Sequence, residues 1–130
     1  MSISHQPILA GLLIAASLTG CSATAPPAAD PDSARKALER TLQAWVEGKT
    51  VASLREATPP ITVQDHQWES GRALAGFTIS PHEQSAGSDR LFHVVLRFRS
   101  SGGARSTPSE EGAEYYVATQ PELVVTRSGS

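Results

Sequence analysis

The stretch Leu91-Phe92-His93-Val94-Val95-Leu96-Arg97-Phe98-Arg99 decides the fold. Phe92, Val94, Leu96 and Phe98 fall on one side of an extended chain, and His93, Val95, Arg97 and Arg99 on the other. That period of two predicts a strand with one face in a core and one in water, as an antiparallel sheet permits. Weaker segments of the same kind flank it. Ile61 to Asp65, Arg72 to Ser80 (with Ala73, Ala75, Phe77 and Ile79 on one side), Ala113 to Thr119 and Glu122 to Arg127 read as further strands. Gln120-Pro121 is the expected turn between the last two, and the Ser-, Gly- and Pro-rich stretches 81–89 and 100–110 suit hairpin connections.

Upstream the period changes. Ala34, Ala37, Leu38, Thr41, Leu42, Trp45 and Val46 recur at three- and four-residue spacing, with Arg35, Lys36, Glu39, Arg40 and Glu47 between them. This predicts an amphipathic helix of about four turns, capped by Asp32 and ended by Gly48. Thr50 is placed to cap a short second helix, Val51 to Glu56, which Thr58-Pro59-Pro60 stops because proline has no amide to donate. Two helices followed by strands predict an α+β domain: one long N-terminal helix and a short one packed on a curved antiparallel sheet of four to five strands.

Before the domain the composition shifts. Residues 22–31 are small residues and prolines with nothing to bury, and read as a tether reaching roughly 30 Å. Residues 8–20 carry no charge, and about 13 apolar residues suit a signal segment better than the roughly 20 that a spanning helix needs. The run closes on Leu18-Thr19-Gly20-Cys21. It resembles the lipobox of bacterial lipoproteins, which implies cleavage between Gly20 and Cys21, diacylglycerol on the Cys21 sulfur and acylation (of the palmitate kind) of the new amino group. A thiol is the nucleophile that such a reaction needs. Cys21 is the only cysteine of the chain, so it has no partner for an internal disulfide. The competing reading is an ordinary secretory signal, and residues 1–7 lack the usual Lys or Arg. The expected organisation is a signal peptide over 1–20, lipidated Cys21 and tether over 21–31, one α+β domain over 32–127 and a tail over 128–130. Ser22 behind the cysteine resembles the pattern that implies transfer to the outer membrane, facing the periplasm, in preference to retention at the inner one.

The run Trp45…Gly48-Lys49-Thr50…Leu54…Pro59-Pro60-Ile61…Val63…Asp65…Trp68…Gly71…Leu74…Phe77 resembles small lipoproteins of planctomycete-type bacteria, over most of residues 33–127. The element order is similar to the cystatin-like and nuclear-transport-factor-2-like α+β folds. The resemblance implies a fold and an address, and no activity.

Net charge −2, with 11 Lys and Arg scattered among 13 Asp and Glu, argues against a nucleic-acid partner, which needs clustered cations. No cofactor is expected: the chain has no HExxH, no paired CxxC, no GxGxxG, no phosphate-binding GxxxxGK[ST] and no GxSxG elbow. Asp65-His66 is the pair closest to acid–base chemistry, yet neighbours on a strand point to opposite faces, which favours a structural or surface role for both. His82 falls in a loop expected to be solvated. His93, Arg97 and Arg99 share a strand face and form a candidate anion or carboxylate surface, against the plainer reading of a solvated cationic face paired with Glu110, Glu111 and Glu114. Trp45 and Trp68 are read as core residues, with a pocket wall as the alternative. No catalytic residue is assigned.

Three functional readings follow. The first is a membrane-held envelope domain, non-catalytic, that binds an envelope protein or glycan or serves structurally. The second is a nuclear-transport-factor-2-like binder or enzyme with Asp65, His66, Tyr115 and Tyr116 around a closed polar cavity. The third is a cystatin-like inhibitor, for which no recognisable inhibitory loop is present. One long and one short helix give less cover than a roomy cone needs, which favours a filled core over a pocket.

Overall fold

The computed structural model describes residues 28–100 and 109–129. The sites placed at Gly20 and Cys21, the apolar run 8–20 and the loop 101–108 lie outside the described residues.

The elements are α1 (Pro31–Val46), α2 (Val51–Arg55), β1 (Ile61–Gln64), α3 (His66–Glu69), β2 (Leu74–Ile79), β3 (Gln84–Ala86), β4 (Asp89–Phe98), β5 (Ser109–Ala118) and β6 (Leu123–Arg127). The fold is α+β. One sheet runs in the order β1-β6-β5-β4-β2, with β3 pairing the start of β4. Helix α1 lies across its covered face, against β2, β5 and β6.

The expected all-antiparallel sheet is corrected to a mixed one. β1 runs parallel to β6, with Ile61 opposite Leu123 and Gln64 opposite Thr126. A parallel pair needs a crossover connection, and here nearly the whole domain serves as one. Among the described residues the strand count rises to six because Gln84–Ala86, inside the expected 81–89 loop, folds back on Asp89–Leu91.

The cap of α1 lies two residues before the expected one. Asp30, not Asp32, accepts the Ser33 amide at 2.9 Å, with Pro31 in the first turn. Pro31 explains the choice: it needs no amide partner and its φ already suits a helix. The Ser33 side-chain and backbone bonds hold the Asp30 carboxyl below its ordinary pKa. Packing begins one residue earlier still, within the stretch read as tether, for Ala29 is 2% exposed and its amide donates to the Ser88 carbonyl at 2.9 Å. Gly48 takes φ +79 after α1 and Thr50 caps α2 by accepting from Ser53, as the sequence predicts.

β4 keeps its predicted phase, with Phe92, Val94, Leu96 and Phe98 all buried. β2 does not. The pairing jumps from Leu74↔Phe98 to Gly76↔Arg97, so Ala75 is bulged out. Leu74 thereby joins Phe77 and Ile79 on the covered face, while Ala73 and Ala75 are exposed. A bulge of this kind resets the alternation by one residue. Leu38, Leu42 and Trp45 of α1 join the buried residues of the sheet in one core, which among the described residues is apolar except for Thr41, Asp65 and Arg127.

Candidate functional site

Of the polar exceptions in the core, Thr41 bonds back to the Ala37 carbonyl within α1 at 2.7 Å, and Asp65 and Arg127 belong to one cluster. Asp65 follows β1 and caps α3: its Oδ1 accepts the amides of Gln67 at 3.0 Å and Trp68 at 3.4 Å. Its Oδ2 accepts the phenol of Tyr115, on β5, at 2.5 Å. Arg127 of β6 stands opposite Tyr115 in the sheet register, with Nη1 3.6 Å from Asp65 Oδ1. Its Nη2 donates to Glu111 at 3.1 Å, and Arg72 Nη1 approaches the other oxygen of Glu111 at 2.9 Å. The guanidinium of Arg72 lies over the Phe98 ring, 3.5 Å from its centre, and also reaches Gln67 and Ser109.

Two carboxylates and two guanidiniums give this chain of contacts zero formal charge. Such balance is what allows ions into a core, because an unpaired buried charge is costly. Burial, then the neighbouring Asp65 charge, drives the Tyr115 phenol far above its ordinary pKa, so it stays a donor. Both Asp65 oxygens carry donors and the residue is 1% exposed. A general base needs a lone pair turned toward a substrate; as built, this carboxylate turns its lone pairs toward α3 and Tyr115.

Beside the cluster, Trp45 and Trp68 stack with centroids 5.4 Å apart and planes within 5°. Trp45 also meets Phe98 edge to face. The indole of Trp45 donates to the Arg72 carbonyl at 2.7 Å, and that of Trp68 to the Lys49 carbonyl at 2.9 Å. The pair therefore bolts the α1–α2 turn to α3 and the start of β2. A groove runs along its outer edge, lined by Val46, Lys49, Arg72, Leu74 and Arg99 beside the tryptophans. A second groove crosses the open face of the sheet at Thr78, Val95 and Gly112, between His93 and Glu114.

The expected anion surface is not brought together. His93 faces Glu114 across β4 and β5, with Nδ1 3.5 Å from its carboxylate. Arg97 lies over Gly76 and donates to Thr78 Oγ1 at 3.1 Å. Arg99 belongs to the tryptophan groove at the end of β4. Of the three glutamates, Glu114 pairs with His93 and Glu110 is in register with Arg97. Glu111 faces the other way and joins Arg72 and Arg127. His66 projects from α3 to the surface, with Nε2 3.4 Å from Gln67, and does not share a face with Asp65. His82 is exposed in its loop.

Arg72 and Arg127 escaped the sequence reading, and Glu111, expected to pair with Arg97 or Arg99, joins them instead; Asp65 and Tyr115, grouped by sequence only as candidates around a cavity, are in direct contact. A signal existed: Arg127 is in phase with Val125, and Tyr115 with Val117, both of them buried. A charged residue in the buried phase of a strand requires a counter-charge, and Asp65 is the carboxylate that follows the parallel neighbour. Among the described residues, no group of three or more His, Cys, Asp or Glu side chains is placed to hold a metal ion, and no helix is long and apolar enough to cross a membrane. Comparison with protein-family models, with curated proteins and with solved structures finds no match for this chain.

Proposed function

We propose that this chain is a bacterial envelope lipoprotein, held at a membrane by lipid on Cys21, whose cystatin-like α+β domain is a non-catalytic binding or structural module. The address rests on the sequence Leu18-Thr19-Gly20-Cys21 behind an uncharged run. The module reading rests on one observation above the others: the charges of the central cluster answer one another, although Arg127 Nη1 meets Asp65 only as an ion pair at 3.6 Å, without a hydrogen bond. Asp65, Tyr115, Arg127, Glu111 and Arg72 form a neutral chain of hydrogen bonds and ion pairs that ties the start of α3, β5, β6 and the residues leading into β2 together. Catalysis needs converging groups with unused valence around a reacting atom, and here the convergent groups serve packing. An envelope protein or glycan is the expected partner class.

The second reading, a small-molecule binder or enzyme of the nuclear-transport-factor-2-like kind, draws on the same contact. Asp65 and Tyr115 do meet on the covered face of the sheet, as that reading expects. Neither lines any of the four grooves described for the domain.

Fractionation of cells carrying the native chain or Cys21→Ser separates address from module. Native protein is expected in the membrane fraction and resistant to high salt, and the variant is expected to be released. Release of both, or retention of both, defeats the lipid anchor. Thermal-shift screening of the purified domain against small metabolites is expected to give no binder that Asp65→Asn abolishes; such a binder would favour the second reading.

A further inference from the structure

The attachment of Ala29 fixes which end of the domain the membrane holds. Ala29 is buried and its amide donates to the Ser88 carbonyl, in the turn between β3 and β4. Asp30 and Pro31 then start α1 without a break, and Arg35 in its first turns donates to the carbonyls of Ser80 and Ile79, at 3.1 and 3.4 Å. The chain thus leaves the domain at one defined place, the β3–β4 hairpin. The turn between β5 and β6 lies at the same end, since Arg90 pairs with Val117. The Trp45–Trp68 stack lies at the other end of α1.

Resting on the anchor proposed above, we infer that the domain is mounted on its bilayer by the β3–β4 hairpin end, so that the groove beside Trp45, Trp68 and Arg99 opens away from the lipid. The lengths support this. Eight Cα-to-Cα steps separate Cys21 from Ala29, which keeps the hairpin end within about 28 Å of the lipidated residue however the chain is drawn out. The 16 residues of α1 carry the tryptophan end about 24 Å beyond that point. The hairpin end is therefore always near the bilayer, while the other end sweeps a zone reaching about 50 Å from it. Charge does not supply the mount. The attached end shows Asp30, Asp32 and Glu122 to solvent, which an anionic surface would repel, so the covalent leash and the Ala29 contact set it.

The experiment uses full-length lipidated protein in phosphatidylcholine vesicles that contain a fraction of nitroxide-headgroup lipid. A fluorophore is placed on Ser85→Cys, in the exposed hairpin, or on Ser70→Cys, at the tryptophan end. Nitroxide is expected to quench the label at 85 at least twofold more than the label at 70. Ala29→Pro, which lacks the amide that meets Ser88, is expected to bring the ratio toward one while the circular dichroism spectrum is kept. The mass of the Cys21 peptide from the same vesicles separates the two layers of the argument. Unlipidated Cys21 overturns the anchor and this mount with it. Lipidated Cys21 with equal quenching at the two labels, with stronger quenching at 70, or with a ratio indifferent to Ala29→Pro overturns the mount alone.

Discussion

The phenol of Tyr115 donates to Oδ2 of Asp65 across 2.5 Å at the centre of the domain, joining the middle of β5 to the residue that starts α3. Because Asp65 Oδ1 already holds the first amides of α3, one carboxylate organises a helix start and a strand at once. Tyr115→Phe removes one donor and leaves a buried oxygen short, a loss of about 1–3 kcal/mol. Asp65→Ala goes further, since Arg127 loses a buried counter-charge, and is expected to cost about 3–5 kcal/mol. Urea denaturation followed by circular dichroism measures both, and equal, small losses would speak against the cluster as the domain's internal brace.

The raised Tyr115 pKa has a consequence at high pH. In the unfolded chain the phenol ionises near its ordinary value of about 10, while in the folded protein it holds its proton because of burial and the Asp65 charge. Above that pH the unfolded state binds fewer protons than the native one, so stability is full below about pH 10 and falls as pH rises beyond it. In a Tyr116→Phe background, phenolate absorbance is expected to develop only together with unfolding. Absorbance that rises while the circular dichroism stays native would contradict the burial.

The tryptophan stack makes a prediction of its own. Trp68→Ala opens a void beneath Trp45 and frees the Lys49 carbonyl, for a loss of about 3–5 kcal/mol. A double-mutant cycle of Trp45→Leu and Trp68→Leu is expected to show a coupling of about 0.5–1.5 kcal/mol, as for other stacked aromatic pairs. Additive losses would mean that the parallel rings contribute only their buried area.

Gly76 offers a contrasting, cheap substitution. A Cβ there would stand 2.7 Å from Nη2 of Arg97, yet that atom is the end of a long side chain at the open face. Gly76→Ala is expected to displace Arg97 from Thr78 and to change stability by less than about 1 kcal/mol. A larger loss would show that Arg97 braces the bulge at Ala75.

Local patterns carried most of what the sequence reveals. α1 was legible because its buried residues keep helical spacing over 16 residues, and its end because Gly48 alone suits φ +79. β4 was legible because four large apolar residues alternate without interruption. What escaped depends on distance along the chain. The parallel pairing of β1 with β6 is set by how the intervening chain wraps, and nothing in Ile61–Gln64 by itself encodes its direction. The bulge at Ala75 hides Leu74 from a strict period of two, and α3 is a single turn, too short for any periodicity. Asp65 is the instructive case. Its grouping with Tyr115 was among the expectations, whereas its pairing with Arg127 could be inferred only by asking which carboxylate answers an in-phase cation.

The lipid on Cys21 is the claim on which the address, the mount and the expected partner class all depend, and intact mass spectrometry of protein extracted from the membrane fraction tests it most directly. The account predicts a chain that begins at Cys21 and carries the added mass of a diacylglyceryl group, with or without a further acyl chain, all of it lost in Cys21→Ser. A chain of unmodified mass, or one cut at another position, would contradict it.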